Sequence, residues 1–144
     1  MWLLLASALA QNAVPMLPIA PTQDVTGIWN VISRPTGNGN CATAGDVASY
    51  IWVVAMQPDG AVSVSVQGQT SFGTLSGRVY GDRMLVSGIG VAQSMVVPVA
   101  WFELKLAGPS GTGRRIYSGG EDLGTGQGAH RACFLEYTVE AKKQ

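Results

Sequence analysis

The stretch Asp24-Val25-Thr26-Gly27-Ile28-Trp29-Asn30-Val31-Ile32-Ser33 decides the fold. Apolar and polar side chains roughly alternate along it, with Trp29 and Val31 on one face and Asn30 on the other, the period of a half-buried β-strand. Gly27 leaves room on the same face beside the Trp29 indole, and a glycine inside a strand often marks a bend or the close approach of another backbone. A buried indole N–H needs an acceptor, so Trp29 is expected near one end of the structure rather than in mid-core.

Working outward, residues 34–46 (Arg34-Pro35-Thr36-Gly37-Asn38-Gly39-Asn40-Cys41 and onward) read as a long loop by composition. A second strand over 48–56 is apolar on both faces, which predicts one face inward and the other covered. Pro58-Asp59-Gly60 is a turn, and 61–67 then alternates cleanly, valines to one side and serines to the other. Further strands are predicted at 71–79, 83–91, 96–106, 114–117 and 130–139, separated by Gly81-Asp82, a turn at 108–113 and a glycine-rich loop at 119–128. Glycines within the fourth and fifth strands are expected at bends or bulges. Pro98 cannot donate to a ladder and marks a strand end, a bulge or an unpaired site. Beyond residue 22 no stretch has sustained helical periodicity. Eight short strands at near-regular spacing predict a barrel or sandwich.

The Gly27-x-Trp29 triplet resembles the signature of the lipocalins and their wider calycin relatives. In that family it opens the first strand, and the tryptophan closes one end of the barrel. The resemblance, carried by Gly27, Trp29 and the strand count, implies an all-β fold: a single antiparallel eight-stranded up-and-down β-barrel over residues 24–144. Gly27 and Trp29 would be its barrel-end structural residues. Lys142 and Lys143 stand near the place where the family packs an arginine on the tryptophan. By the same resemblance, the loop at 34–46 would lie across the open mouth. The interior of such a barrel holds side chains or one small ligand.

The chain has 144 residues, 12% of them charged, 19 glycines and no net charge. That is one domain large enough to bury a core, with the opposite of a disordered composition. The absence of a basic run speaks against nucleic-acid binding, which needs phosphate neutralisation. The opening Met1-Trp2-Leu3-Leu4-Leu5-Ala6-Ser7-Ala8-Leu9-Ala10 resembles the apolar part of a secretory signal ending in a small-x-small cleavage site. It carries no Lys or Arg before the apolar run. It is also too short for a stable membrane span, which needs about 20 apolar residues. Residues 1–10 are therefore expected to be a signal peptide, and 11–23, with Pro15, Pro18 and Pro21, an extended linker. Export to the periplasm or the extracellular space follows from this reading.

Export bears on the two cysteines. Cys41 and Cys133 are the only ones, and in an oxidising compartment an even pair defaults to a disulfide. If the eighth strand pairs antiparallel with the first, Cys133 lies one short loop from Cys41; two buried free thiols are the alternative.

No constellation for catalysis emerges, and the chain is read as a non-enzyme without cofactor or metal. A single histidine, His130, does not support a His-based metal centre. Glu121 and Asp122 alone are not a calcium ligand set. The loop at 119–128 lacks the Gly-Lys-Ser/Thr ending of a phosphate loop. Glu103 and Glu136 are read as outward carboxylates rather than a glycosidase pair, which must face one cleft. The aromatics Tyr50, Trp52, Trp101, Tyr117 and Tyr137 either line a ligand-binding calyx or fill it. Two functions follow. One is an exported barrel taking up a small apolar or amphipathic molecule. The other is a protein-binding inhibitor of a secreted hydrolase, as in protease-inhibitor calycin barrels. Interior volume separates them: about 300 Å³ or more favours a ligand, a filled core surface recognition.

Overall fold

The computed structural model describes residues 19–68, 72–91, 97–122 and 130–144. The signal-like segment and most of the proline-rich linker lie outside these residues, as do most of the glycine-rich loop after residue 122 and the starts expected for the strands at 71 and 96.

Eight strands follow one another: β1 (Gly27–Gly39), β2 (Ala48–Met56), β3 (Ala61–Gln67), β4 (Thr74–Tyr80), β5 (Arg83–Ile89), β6 (Val99–Ala107), β7 (Ser110–Asp122) and β8 (His130–Lys143). Each pairs antiparallel with the next, and β8 returns antiparallel to β1, so the sheet is a closed barrel in sequence order. Closure leaves no unpaired outer strand. Among the described residues no helix is long and apolar enough to cross a membrane.

The alternation within each strand builds the core. Trp29, Val31 and Ser33 of β1, Tyr50, Trp52 and Val54 of β2, and Phe102, Leu104 and Leu106 of β6 all turn inward and are buried. Trp52 and Phe102 meet edge to face, ring centroids 4.9 Å apart, a geometry aromatic quadrupoles favour. The second face of β2 is not covered: Ile51 and Val53 are exposed beside Ile28.

The Trp29 end is sealed from below. Residues 19–25 run across it, with Thr22 N donating to Gly81 O (3.0 Å) and Gly81 N to Ala20 O (3.1 Å). Gln23 exchanges two hydrogen bonds with the Gly108 backbone. Val25 is fully buried, and its carbonyl accepts the Trp29 indole N–H at 2.8 Å. The barrel therefore supplies the acceptor that a buried indole requires. Lys143 lies over Gly27, where a Cβ would come within 2.9 Å of its side chain.

The largest departures from the sequence reading are the lengths of β1, β7 and β8. β1 does not end at Ser33 but runs to Gly39. Beyond Ser33 it has β8 on one side only, so the missing N–H of Pro35 breaks no paired ladder on the other. Its register slips between Pro35, opposite Tyr137, and Gly39, opposite Leu135, a bulge at the barrel rim. β7 is thirteen residues long rather than four. Its glycines read as turns, yet Gly113 sits where the backbone of β6 comes so close that a Cβ would collide with the Glu103 carbonyl. β8 continues to Lys143, long enough to pair along all of β7 and with β1 from Trp29 onward.

Gly113 thus permits a tight strand crossing rather than a turn. Gly113→Ala is expected to lower stability by about 1–3 kcal/mol, the range for overpacking. A urea midpoint matching that of the parent would show that the crossing has slack.

Candidate functional site

The polar interior lies toward the end opposite Trp29. On β7 the inward positions are Gly111, Gly113, Arg115, Tyr117 and Gly119. Arg115 stands opposite Phe102 of β6 and Tyr137 of β8. Its side chain is only 7% exposed. The guanidinium carbon lies 4.6 Å from the Tyr137 ring centroid and 5.6 Å from those of Tyr50, Phe102 and Tyr117. One Nη donates to the Tyr50 hydroxyl at 2.7 Å.

A buried guanidinium cannot escape its charge by losing a proton. Among the described residues no carboxylate forms an ion pair with Arg115; the five ion pairs found involve Arg34, Arg78, Arg83, Arg114 and Arg131. Nor do the phenols supply an anion. Burial pushes the Tyr50 hydroxyl above its ordinary value against the opposing pull of Arg115, and burial likewise raises Tyr137, which also feels Asp46. Both rings stay neutral near pH 7, so four π faces supply the compensation. Among the described residues three buried polar atoms have no hydrogen-bond partner: Arg115 Nε, Trp52 Nε1 and Ser33 Oγ.

The loop over residues 40–47 closes this end. Gly45 passes over Tyr137 so tightly that a Cβ there would strike its hydroxyl. The loop is anchored by the Cys41–Cys133 disulfide, with Cα atoms 4.9 Å apart. Asn40 exchanges hydrogen bonds with the Phe134 backbone through both its main chain and its Oδ1. Glu121 accepts from Ala42 N at 2.5 Å and pairs with Arg131. The Ala42 amide, reinforced by Arg131, holds the Glu121 carboxyl below the usual range. The two cysteine sulfurs and a Glu121 oxygen lie within 4.8 Å of one another, but sulfurs joined in a disulfide are not the thiolates that bind metals. A groove of about 390 Å³ runs along the outside of this cap, between the β1 bulge at Thr36–Asn38 and Thr43–Gly45.

The structure brings four of the five sequence-derived aromatics together: Tyr50, Trp52, Tyr117 and Tyr137 all point inward. Trp101 does not join them. It faces outward on β6, with the Arg114 guanidinium 5.3 Å above its ring, beside Glu103, which links Arg83 and Arg114. Counting from Phe102 would have placed it outside. Arg115 lies two residues before the inward Tyr117, and strand alternation puts both on one face. Glu103 does face outward, away from any shared cleft.

Little room remains among these rings. The interior cavity lined by Tyr50, Trp52, Val66, Phe72, Leu75, Phe102 and Arg115 measures about 10 Å³, the space of a single water. Apolar surface is instead presented outside. Across the tip of the β5–β6 hairpin Ile89 is 70% exposed, Val91 75% and Val97 49%. Ile89 pairs with Val99, and Gly90 N donates to Pro98 O at 2.8 Å, so the tip's base is ordered. No family model matches the sequence, and no curated protein is found to be similar to it.

Proposed function

We propose that this is an exported, lipocalin-like barrel that binds a protein, acting as an inhibitor of a secreted hydrolase. The single observation that carries the reading is the filled interior among the described residues. An apolar ligand needs a cavity of about 300 Å³ or more, against about 10 Å³ here. A disulfide supports an oxidising compartment. The closed eight-stranded barrel opening on Gly27-x-Trp29 supports the calycin resemblance. The β5–β6 hairpin supports recognition by surface, because exposed apolar groups gathered at one rim mark interaction sites. In this reading Ile89, Val91 and Val97 enter the partner's cleft while the disulfide-tied cap holds the rim rigid, which keeps the ordering cost of binding low.

The test is native mass spectrometry of the protein recovered from its own source. A retained protein partner is expected, and a Val91→Asp variant should lose it while melting as the parent does. Retention of a small apolar molecule by the folded chain would overturn the proposal in favour of the carrier reading.

A further inference from the structure

The interior cation raises a separate question, independent of any protein partner. Arg115 brings a full positive charge into the barrel, and the protein surrounds it with neutral rings. A buried charge is costly unless it is paired. Two of the unpartnered buried atoms among the described residues, Arg115 Nε and Trp52 Nε1, belong to residues that line the same small cavity. Both are donors only, so what they lack is an acceptor. The remaining lining residues, Tyr50, Val66, Phe72, Leu75 and Phe102, bring no negative charge.

We infer that this cavity binds a monatomic anion of chloride size, held by Arg115 Nε and the Trp52 indole N–H. Volume sets the class: about 10 Å³ admits one water-sized species and excludes carboxylates, phosphate and sulfate. Charge separates an anion from water, since only an anion neutralises the guanidinium. The Tyr50 hydroxyl is occupied as acceptor from Arg115 and is kept protonated by burial, so it does not compete for the role. Asp46, which acts on Tyr137 from the closing loop, forms no ion pair with Arg115.

The experiment exchanges gluconate for chloride, and separately for bromide, at constant ionic strength. Gluconate is too large to enter. Melting temperature and the Trp52 indole N–H resonance, assigned by its loss in Trp52→Phe, are followed together. The expected result is a saturable rise of several degrees in melting temperature, with the indole resonance shifting along the same curve for both halides. Arg115→Met should abolish the halide response. Should that variant not fold, bromide-soaked crystals of the parent provide the second arm, with an anomalous peak expected between Arg115 Nε and Trp52 Nε1. Identical melting in gluconate and halide, an unmoved indole and no bromide peak would overturn the inference and assign the cavity to water.

Discussion

Trp29→Ala is expected to destabilise the whole barrel by about 3–5 kcal/mol, as deletion of a large buried aromatic does. Trp29 is fully buried, and its loss removes three things together. The core end loses its largest filler, Val25 O loses its donor, and the segment over residues 19–25 loses the surface it packs on. β1 pairs with both β2 and β8, so a defect there reaches both sides of the closure. The melting temperature without ligand should fall by about 10 °C or more. Trp101→Ala is the control. On the outer face, with a partly exposed ring under Arg114, it should fall within the small range of surface substitutions. Thermal melts followed by circular dichroism compare the two. Equal losses would mean that Trp29 does not seal the barrel.

Breaking the Cys41–Cys133 disulfide is expected to cost about 2–4 kcal/mol. The bond joins residues 92 apart in sequence, so reduction releases a long closed loop in the unfolded chain, where most of the effect resides in the chain-entropy description. The folded state has its own local share. Cys41 opens the closing loop, and without the bond the two Asn40–Phe134 hydrogen bonds, Glu121 and Arg131 remain to hold it to β7 and β8. The Cys41→Ala, Cys133→Ala double variant should therefore unfold at lower denaturant and exchange the amides of residues 40–47 faster. Alkylation of unreduced protein should label neither cysteine; labelling of both would contradict the bond.

The architecture was legible because the strands alternate. The valines and serines of β3 and the Gly27-x-Trp29 opening of β1 follow the period-two rule closely. Strand ends were harder to read, and glycine is the cause. Glycine composition reads as a turn through residue 113 and as a loop from 119, yet within β7 it gives neighbouring backbones and the Tyr117 ring room. At Thr36–Asn38 loop composition concealed a strand carrying a bulge. Alternation puts Tyr50, Trp52, Tyr117 and Tyr137 on inward faces, while Arg115 carries no apolar signal to mark it as their neighbour. An arginine on a short, charged strand looks like solvated surface, although alternation from Tyr117 places Arg115 on the inward face. Whether the interior is filled depends on side-chain volumes summed across eight strands, which no local pattern reports.

The Trp52 indole lines the small interior cavity and reports directly on whether the barrel is filled. In a titration with dodecanoate followed by NMR, the account predicts that the Trp52 indole N–H resonance stays where it is through saturating concentrations. A saturable shift of that resonance, showing that an alkyl chain has entered between Trp52, Leu75 and Phe102, would contradict it.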